Sequence, residues 1–411
     1  MNMKIVARGL DFFRRREKPF KINMLRASFQ NFLITLVVYY QSLYIIALGA
    51  TPFQLGLTIS VGGIAGAAIA IPVGLSADRY GVKRMFLFGT LVMAIGSMIM
   101  ALASNWTAVI PGVFMNILGF TVAQTVCPVV CGSCLRSEER VTGMQLCDTL
   151  SAVPRIVAPV IGAYLVTAFG GISADGIRPL YYIQSVGFTL VFIFIFRLFG
   201  DPFNVERTKD KVNLTNDIGE VFRRGRMVKR WILYQALAYF AFVITFQAGF
   251  VALYANVVKH ADQYVLGVMA SSLMIVPLTL SVAVGRLADT FGRKKILFLT
   301  IPIYCLSLVI LILSQDPLSL IISSVMQGFL LLNLTTEGAI SVELVPSDLL
   351  GRWMGIVCLT YGLIGIIAPF VAGLLWSLLS PSSVFIFLVA IELTLIPVLI
   401  TMPETLIPKR F

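Results

Sequence analysis

Gly74-Leu75-Ser76-Ala77-Asp78-Arg79-Tyr80-Gly81-Val82-Lys83-Arg84 and Gly285-Arg286-Leu287-Ala288-Asp289-Thr290-Phe291-Gly292-Arg293-Lys294-Lys295 are two versions of one sentence. Each stands between two long apolar stretches as a compact charged turn. Gly81 and Gly292 allow a tight reversal because glycine tolerates backbone angles that other residues resist. The cations that follow each glycine should hold the turn on the cytoplasmic side of a membrane.

The apolar stretches themselves decide the class. Of 411 residues, 58% are hydrophobic and 13% charged, against roughly 25% charged in an average soluble domain. Runs of about 20 apolar residues, enough to cross a bilayer, recur at about 27–49, 51–73, 85–104, 107–134, 143–168, 180–198, 231–257, 265–284, 296–314, 318–342, 353–379 and 383–402. Twelve spans with both termini cytoplasmic put every Lys and Arg inside except Arg155, Arg178 and Lys259. The net charge of +12 therefore reports topology and contact with membrane lipid, not nucleic acid. The expected organisation is a basic arm (1–26), a six-helix bundle (27–198), a polar linker (199–230), a second six-helix bundle (231–402) and a tail (403–411). The arm has no separate apolar region followed by a cleavage site, so it does not read as a signal peptide.

The halves repeat. Gly74 pairs with Gly285, Gly119 with Gly328, Arg140 with Arg352, and Ala158-Pro159 with Ala368-Pro369, at offsets of 211, 209, 212 and 210. The duplicated loops resemble the G-x-L-A-D-R-x-G-R-K signature of the major facilitator superfamily, departing from it at Ser76, Val82 and Thr290. That resemblance implies an all-α membrane fold of two pseudo-symmetric six-helix halves. Substrate would bind between them near the bilayer midplane, with transport by rocking of one half against the other. It also implies a gating network of Gly74, Asp78, Arg79, Gly81, Arg84 and Arg140 in one half, and Gly285, Asp289, Gly292, Arg293, Glu343 and Arg352 in the other. Ala158-Pro159-Val160-Ile161-Gly162-Ala163 resembles a degraded Gly-Pro-x-x-Gly-Gly motif of the proton-driven exporters. Against it, Met115 stands where exporters of this type carry an arginine near Gly119, and span 1 has no acid.

Ionisable residues inside a membrane are expensive and so mark function. Arg155 lies near the middle of span 5, with Asp148 seven residues earlier and about 20° away around the helix. It is either a binding-site cation for an anionic or carbonyl-bearing solute or half of a structural ion pair. Glu337, one turn after Asn333 in span 10, is the first candidate for carrying a proton, and Asp148 the second. A carboxyl removed from water takes up a proton more readily; the alternative is a helix-packing hydrogen bond. Glu392 is mid-span in span 12, which the resemblance places at the periphery. Gln124, Asn116, Asn333, Gln41, Gln235, Gln247 and the tyrosines Tyr39, Tyr40, Tyr234 and Tyr239 are candidates to line the cavity.

Cys127, Cys131 and Cys134 share a face of span 4 at a spacing that suits close packing more than a metal. The single histidine, His260, falls in an outer loop. No G-x-x-x-x-G-K-[ST] loop is present, and no constellation of reactive side chains marks an enzyme. No cofactor is expected. The chain reads as a monomeric secondary transporter in the cell membrane. It moves a small organic solute by alternating access, coupled to protons, with a lean to efflux by antiport. The alternatives are uptake or facilitated transport of an organic anion held by Arg155, and a non-transporting sensor, scaffold or lipid flippase.

Overall fold

The computed structural model describes residues 18–134, 140–200, 221–223, 227–345, 349–402 and 404, with the side chains of 18–19, 70–80, 128–150, 282, 289, 335, 342 and 350–352 outside the described set. The chain is helical nearly throughout. Six helices come first: α1 (Lys18–Ala47), α2 (Pro52–Tyr80), α3 (Val82–Leu102), α4 (Trp106–Cys134), α5 (Arg140–Ala168) and α6 (Ala174–Leu198). After the polar stretch come α7 (Val228–Phe242), a π-helical segment (Val243–Gln247), α8 (Phe250–Val257), α9 (Gln263–Leu273), α10 (Ile275–Phe291), α11 (Arg293–Leu313), α12 (Pro317–Glu343), α13 (Leu350–Leu378) and α14 (Pro381–Ile400). Among the described residues, eleven helical stretches are long and apolar enough to cross a membrane, and the bent pair around Gly249 makes twelve.

Several boundaries differ from expectation. The signature stretches are mostly helix: α2 runs to Tyr80 and α10 to Phe291, so the turn shrinks to a single glycine. Gly81 has φ +85° and Gly292 φ +108°, a conformation that costs any residue with a Cβ, and one such residue reverses the chain. Span 1 starts nine residues early, at Lys18, which takes Asn23 and Arg26 out of the expected arm and into the bundle. Arg26 is 2% exposed. Its guanidinium lies 4.0 Å from the Phe86 ring centre and donates to Asn23 Oδ1 and Gln30 Oε1. A delocalised cation can be buried when its donors and its face are satisfied this way.

Span 7 is broken. The π segment ends at Gln247, Gly249 two residues on has a φ of +70°, and the chain bends by 50° between the two helices. Span 8 also breaks, more gently, at Met274 between α9 and α10.

The repeat read from the sequence reappears as packing. Gly119 and Gly328 both stand at close backbone crossings, though with different neighbours: an added Cβ at Gly119 would meet the Gly89 carbonyl of α3, and one at Gly328 the Leu273 carbonyl of α9. The two cations away from the signature turns do the same job from different places in the chain, Arg178 at the start of α6 and Lys259 just after α8. Arg178 donates to the Ala103 carbonyl at 3.0 Å, and Lys259 to the Ile312 and Ser314 carbonyls at 2.6 and 2.7 Å. Each therefore caps the C-terminal end of the third helix of its half, where unpaired carbonyls favour a cation.

Contacts between the halves gather on the face away from Gly81 and Gly292. α2 lies along α13, and α5 along α9. The Ala-Pro repeats are the two symmetric touching points. The Pro369 carbonyl faces Gly56, and the Pro159 carbonyl faces Gly267. At Gly56 backbone meets backbone and glycine is required, while at Gly267 the nearest atom is the Ala163 Cβ, with the Pro159 carbonyl just beyond. The four hydrogen bonds that join the halves among the described residues are Ser42 to the Gly249 carbonyl, Tyr40 to the Gln263 carbonyl, Gln263 to Thr167, and Ser271 to the Ile156 carbonyl. All lie between that face and mid-depth. Toward the other face, at Gly285, Gly338 and Gly355, an added Cβ would meet nothing within 4 Å. The protein is sealed on the side opposite the signature turns.

Candidate functional site

The broken seventh span positions the centre of the C-terminal half. Tyr234, Gln235, Tyr239 and Phe242 recur along α7 at spacings that bring them toward α12 and α13. Between these helices lies a cleft lined by Gln235, Tyr239, Phe242, Leu334, Glu337 and Tyr361, with about 10 Å³ of room in this state, the space of about one water. Glu337 is 4% exposed, and the Tyr234 hydroxyl donates to its Oε1 at 3.2 Å. Trp231 stacks on Tyr234 with ring centres 4.9 Å apart. Gln235 Nε2 donates to the Tyr361 hydroxyl at 3.0 Å, and the Tyr239 and Tyr361 rings stack at 4.2 Å. The result is a carboxyl and an aromatic wall held by side chains that brace each other.

Unpaired acceptors point to what the cleft could take. The Oε1 atom of Gln235, in the cleft wall, is buried without a hydrogen-bond partner, as is that of Gln247, which lies outside the cleft lining. Buried polar atoms are ordinarily paired, so such orphans are places where a ligand or water belongs. Gln247 ends the π segment, next to the Ser42–Gly249 contact between the halves. Discontinuous helices of this kind place backbone and side-chain dipoles at midplane sites. A solute with hydrogen-bond donors or positive charge and an aromatic face complements acceptors flanked by tyrosines.

The other expected residues divide. Asn333 accepts from Thr300 at 2.6 Å and binds α12 to α11. Asn116 accepts from Ser97 at 3.2 Å, and Ser97 also donates to Gln184, so Asn116 belongs to the packing of α3, α4 and α6. Gln124 is exposed on α4, and Gln41 is half-buried on α1. Tyr40 serves the seal between the halves. Arg155 is half-buried, one turn from Ser151 and one from Pro159, between the α5 stripe that packs on α1 and the stripe that packs on α9. The side chain of Asp148 lies outside the described residues. So do those of Asp78, Arg79, Arg140, Asp289 and Arg352, the backbone of Gly74 being helical. Cys127 is hydrogen-bonded by Asn23 at 3.4 Å, while Cys131 and Cys134 lie outside the described side chains.

Of the gating set, Arg293 and Glu343 meet, at 2.6 Å, tying the start of α11 to the end of α12. Arg84 is exposed. A partner the sequence reading missed is Glu404 from the C-terminal tail. Its carboxylate accepts the backbone N–H groups of Arg293 and Lys294 at 3.1 and 3.2 Å, while Lys294 Nζ reaches back to the Ile400 and Met402 carbonyls. An acid at a helix N-terminus satisfies donors that the helix cannot. Its signal was an acid just past a proline at the end of span 12, close to a basic turn.

Comparisons with known proteins agree on one family. A family model described as the Major Facilitator Superfamily matches residues 23–273 and 249–410. An uncharacterized transporter of Buchnera aphidicola subsp. Schizaphis graminum (strain Sg) is 25% identical over 138 residues, 34% of this chain and 35% of the relative. The match therefore spans about a third of that relative's length. The multidrug resistance protein MdtG of Enterobacter lignolyticus (strain SCF1) is 27% identical over 299 residues, 71% of this chain and 68% of that protein. The crystal structure of the nucleoside transporter NupG superposes with a TM-score of 0.75 at 15% identity, over 93% of this chain and 98% of that one.

Proposed function

Because the chain belongs to the major facilitator superfamily, and is thus a multi-pass integral membrane transporter, we propose that it exports a small amphipathic organic solute in exchange for protons. Glu337 carries the proton. The observation that bears this reading is a buried carboxyl, hydrogen-bonded by Tyr234, in the wall of a cleft faced with Tyr239, Tyr361 and Phe242. A buried carboxyl with no cation beside it sheds the cost of its charge by binding a proton. Among the described residues, Glu337 forms no ion pair. A cationic or donor-bearing solute entering the cleft favours the carboxylate and displaces that proton, which is the exchange step of antiport. The membrane is the cell membrane, with the signature turns facing the cytoplasm, a placement the charge asymmetry supports.

The seal opposite the turns fits a state that takes its solute from the cytoplasmic side. The likeness to proteins named for multidrug resistance supports export. The Gln235 acceptor and the aromatic faces beside Glu337 support a cationic or neutral amphiphile over an organic anion held by Arg155.

The test uses purified protein in weakly buffered detergent, titrated with ethidium as an aromatic cation and with benzoate as an organic anion. Ethidium should bind and release a proton, and Glu337→Gln should bind without release. Benzoate binding that is lost in Arg155→Ala, with no proton release by either ligand, overturns the antiport reading in favour of an anion carrier.

A further inference from the structure

The Gln235 side chain is held in one orientation by its neighbour. Its Nε2 donates to the Tyr361 hydroxyl at 3.0 Å, from α7 across to α13, which fixes the plane of the amide and uses its donor side. Oε1 is the remaining end. It is buried with no partner, in a residue that is 3% exposed. Packing between α7 and α13 accounts for Nε2 and leaves Oε1 unexplained. A buried carbonyl oxygen is costly when unpaired, so this one is placed for a donor from outside the chain.

The space beside it suits a small donor. Gln235 and Glu337 line the same cleft, and Glu337 is the one charged residue of that lining among the described residues. About 10 Å³ is open there, room for about one water-sized group. The rest of the wall is a continuous ring stack. Phe242 lies 5.3 Å from Tyr239 and Tyr239 lies 4.2 Å from Tyr361, centre to centre, with the planes 23° and 16° apart. Such a wall takes a flat apolar body and attracts a cation whether or not its nitrogen is alkylated. The rings alone therefore do not choose between cations. A carbonyl oxygen does, because it accepts only from an N–H or O–H.

We propose that Gln235 is the specificity-determining residue of this cleft and selects protonated amines, which carry N–H, over ammonium ions whose nitrogen is fully alkylated. The inference rests on the cleft beside Glu337 being the solute site. The amine's N–H group pairs with Gln235 Oε1 while its charge faces the Glu337 carboxylate. A trimethylammonium group leaves Oε1 unpaired and brings three methyl groups to a space of about one water. Tyr361 is a positioning residue, holding the amide so that Oε1 meets the solute. Ethidium satisfies the requirement through its aryl amino groups.

The test is binding and proton release with a matched series of naphthylmethyl ammonium ions, from the primary amine through its mono-, di- and trimethyl forms. Full-length protein in detergent at neutral pH is used, so every probe carries the same charge and the same aromatic body. Wild type should bind the primary amine about 10- to 100-fold more tightly than the trimethyl form, the scale of one unmade hydrogen bond to a buried group. Gln235→Met, similar in length and without an acceptor, should erase that preference. Gln235→Glu, which keeps an acceptor, should retain it. Tyr361→Phe preserves the ring stack and frees the amide to turn, so it should narrow the ratio. Each variant is checked for a monodisperse profile, and the wild-type series decides even if a variant does not fold. Equal affinity along the series, with proton release intact, overturns the role of Gln235 and leaves the cleft as the solute site. A preference that survives Gln235→Met overturns it as well. If no member binds, or if binding releases no proton that Glu337→Gln abolishes, the reading of the cleft itself fails and the role of Gln235 with it.

Discussion

Replacing Gly63 with alanine drives a methyl group into the backbone of α13. The new Cβ would lie 2.5 Å from the Gly365 carbonyl oxygen, 2.6 Å from its carbon and 2.9 Å from the Ile366 nitrogen. All three are main-chain atoms, so no side chain can swing aside. Relief requires α2 and α13 to separate by roughly 1 Å, and overpacking of this kind costs about 1–3 kcal/mol. The cost falls on the state in which these helices touch. The state open on the opposite face, which parts them, is spared. Its population should rise by about 5- to 150-fold, since each 1.4 kcal/mol is a factor of ten. Ser42 reports the change. It is 1% exposed, held against the Gly249 carbonyl in the seal. In a background with no other cysteine, Ser42→Cys would be labelled by a membrane-impermeant maleimide from the side opposite the signature turns. Adding Gly63→Ala should raise the labelling rate within that range, to saturation. Gly355→Ala, whose Cβ meets nothing within 4 Å on the same helix, should leave it unchanged. An unchanged rate with Gly63→Ala, or an equal rise with Gly355→Ala, would refute the assignment of α2–α13 as part of the opposite-face gate.

Two further outcomes follow from single contacts. Thr300→Val leaves the buried Asn333 Oδ1 without its 2.6 Å donor. It should cost about 1–3 kcal/mol of stability, seen as an earlier thermal transition in detergent, with solute binding retained because neither residue lines the cleft. Glu404→Gln weakens the charge that caps the start of α11. Amide hydrogen exchange at Arg293 and Lys294 should quicken by about two- to fivefold, from a loss of about 0.5–1 kcal/mol, while exchange near Gly81 stays as it was.

Much of the molecule was legible before any coordinates. Apolar runs and charge asymmetry gave twelve spans, because a bilayer punishes exposed charge and unpaired backbone along the whole length of a helix. The repeat was legible because close helix crossings favour small residues, and the Ala-Pro repeats mark matching crossings, the Pro159 carbonyl facing Gly267 and the Pro369 carbonyl facing Gly56. Arg26 was read into the arm because a charge at the edge of an apolar run reads as its polar flank, and Glu392, read as mid-span, could not be given a facing because sequence shows little about which way a charge points. Asn116 and Asn333 were offered as lining residues because a polar side chain in a span reads alike whether it meets a solute or a neighbouring helix. Gly249 stood in plain view within span 7, but its positive φ, the 50° bend and the close approach of Ser42 on α1 are visible only in the fold.

The sequence by itself determined the class, the spans, the duplication and the two glycine turns, all of which rest on local chemistry repeated along the chain. Tertiary structure decided which side of the protein is sealed, that Tyr234 serves Glu337, that Glu404 caps α11, and that Glu392 points into the bundle. Those facts depend on which helix faces meet across tens to hundreds of residues. That choice is made by packing summed over whole interfaces, and no single segment carries it.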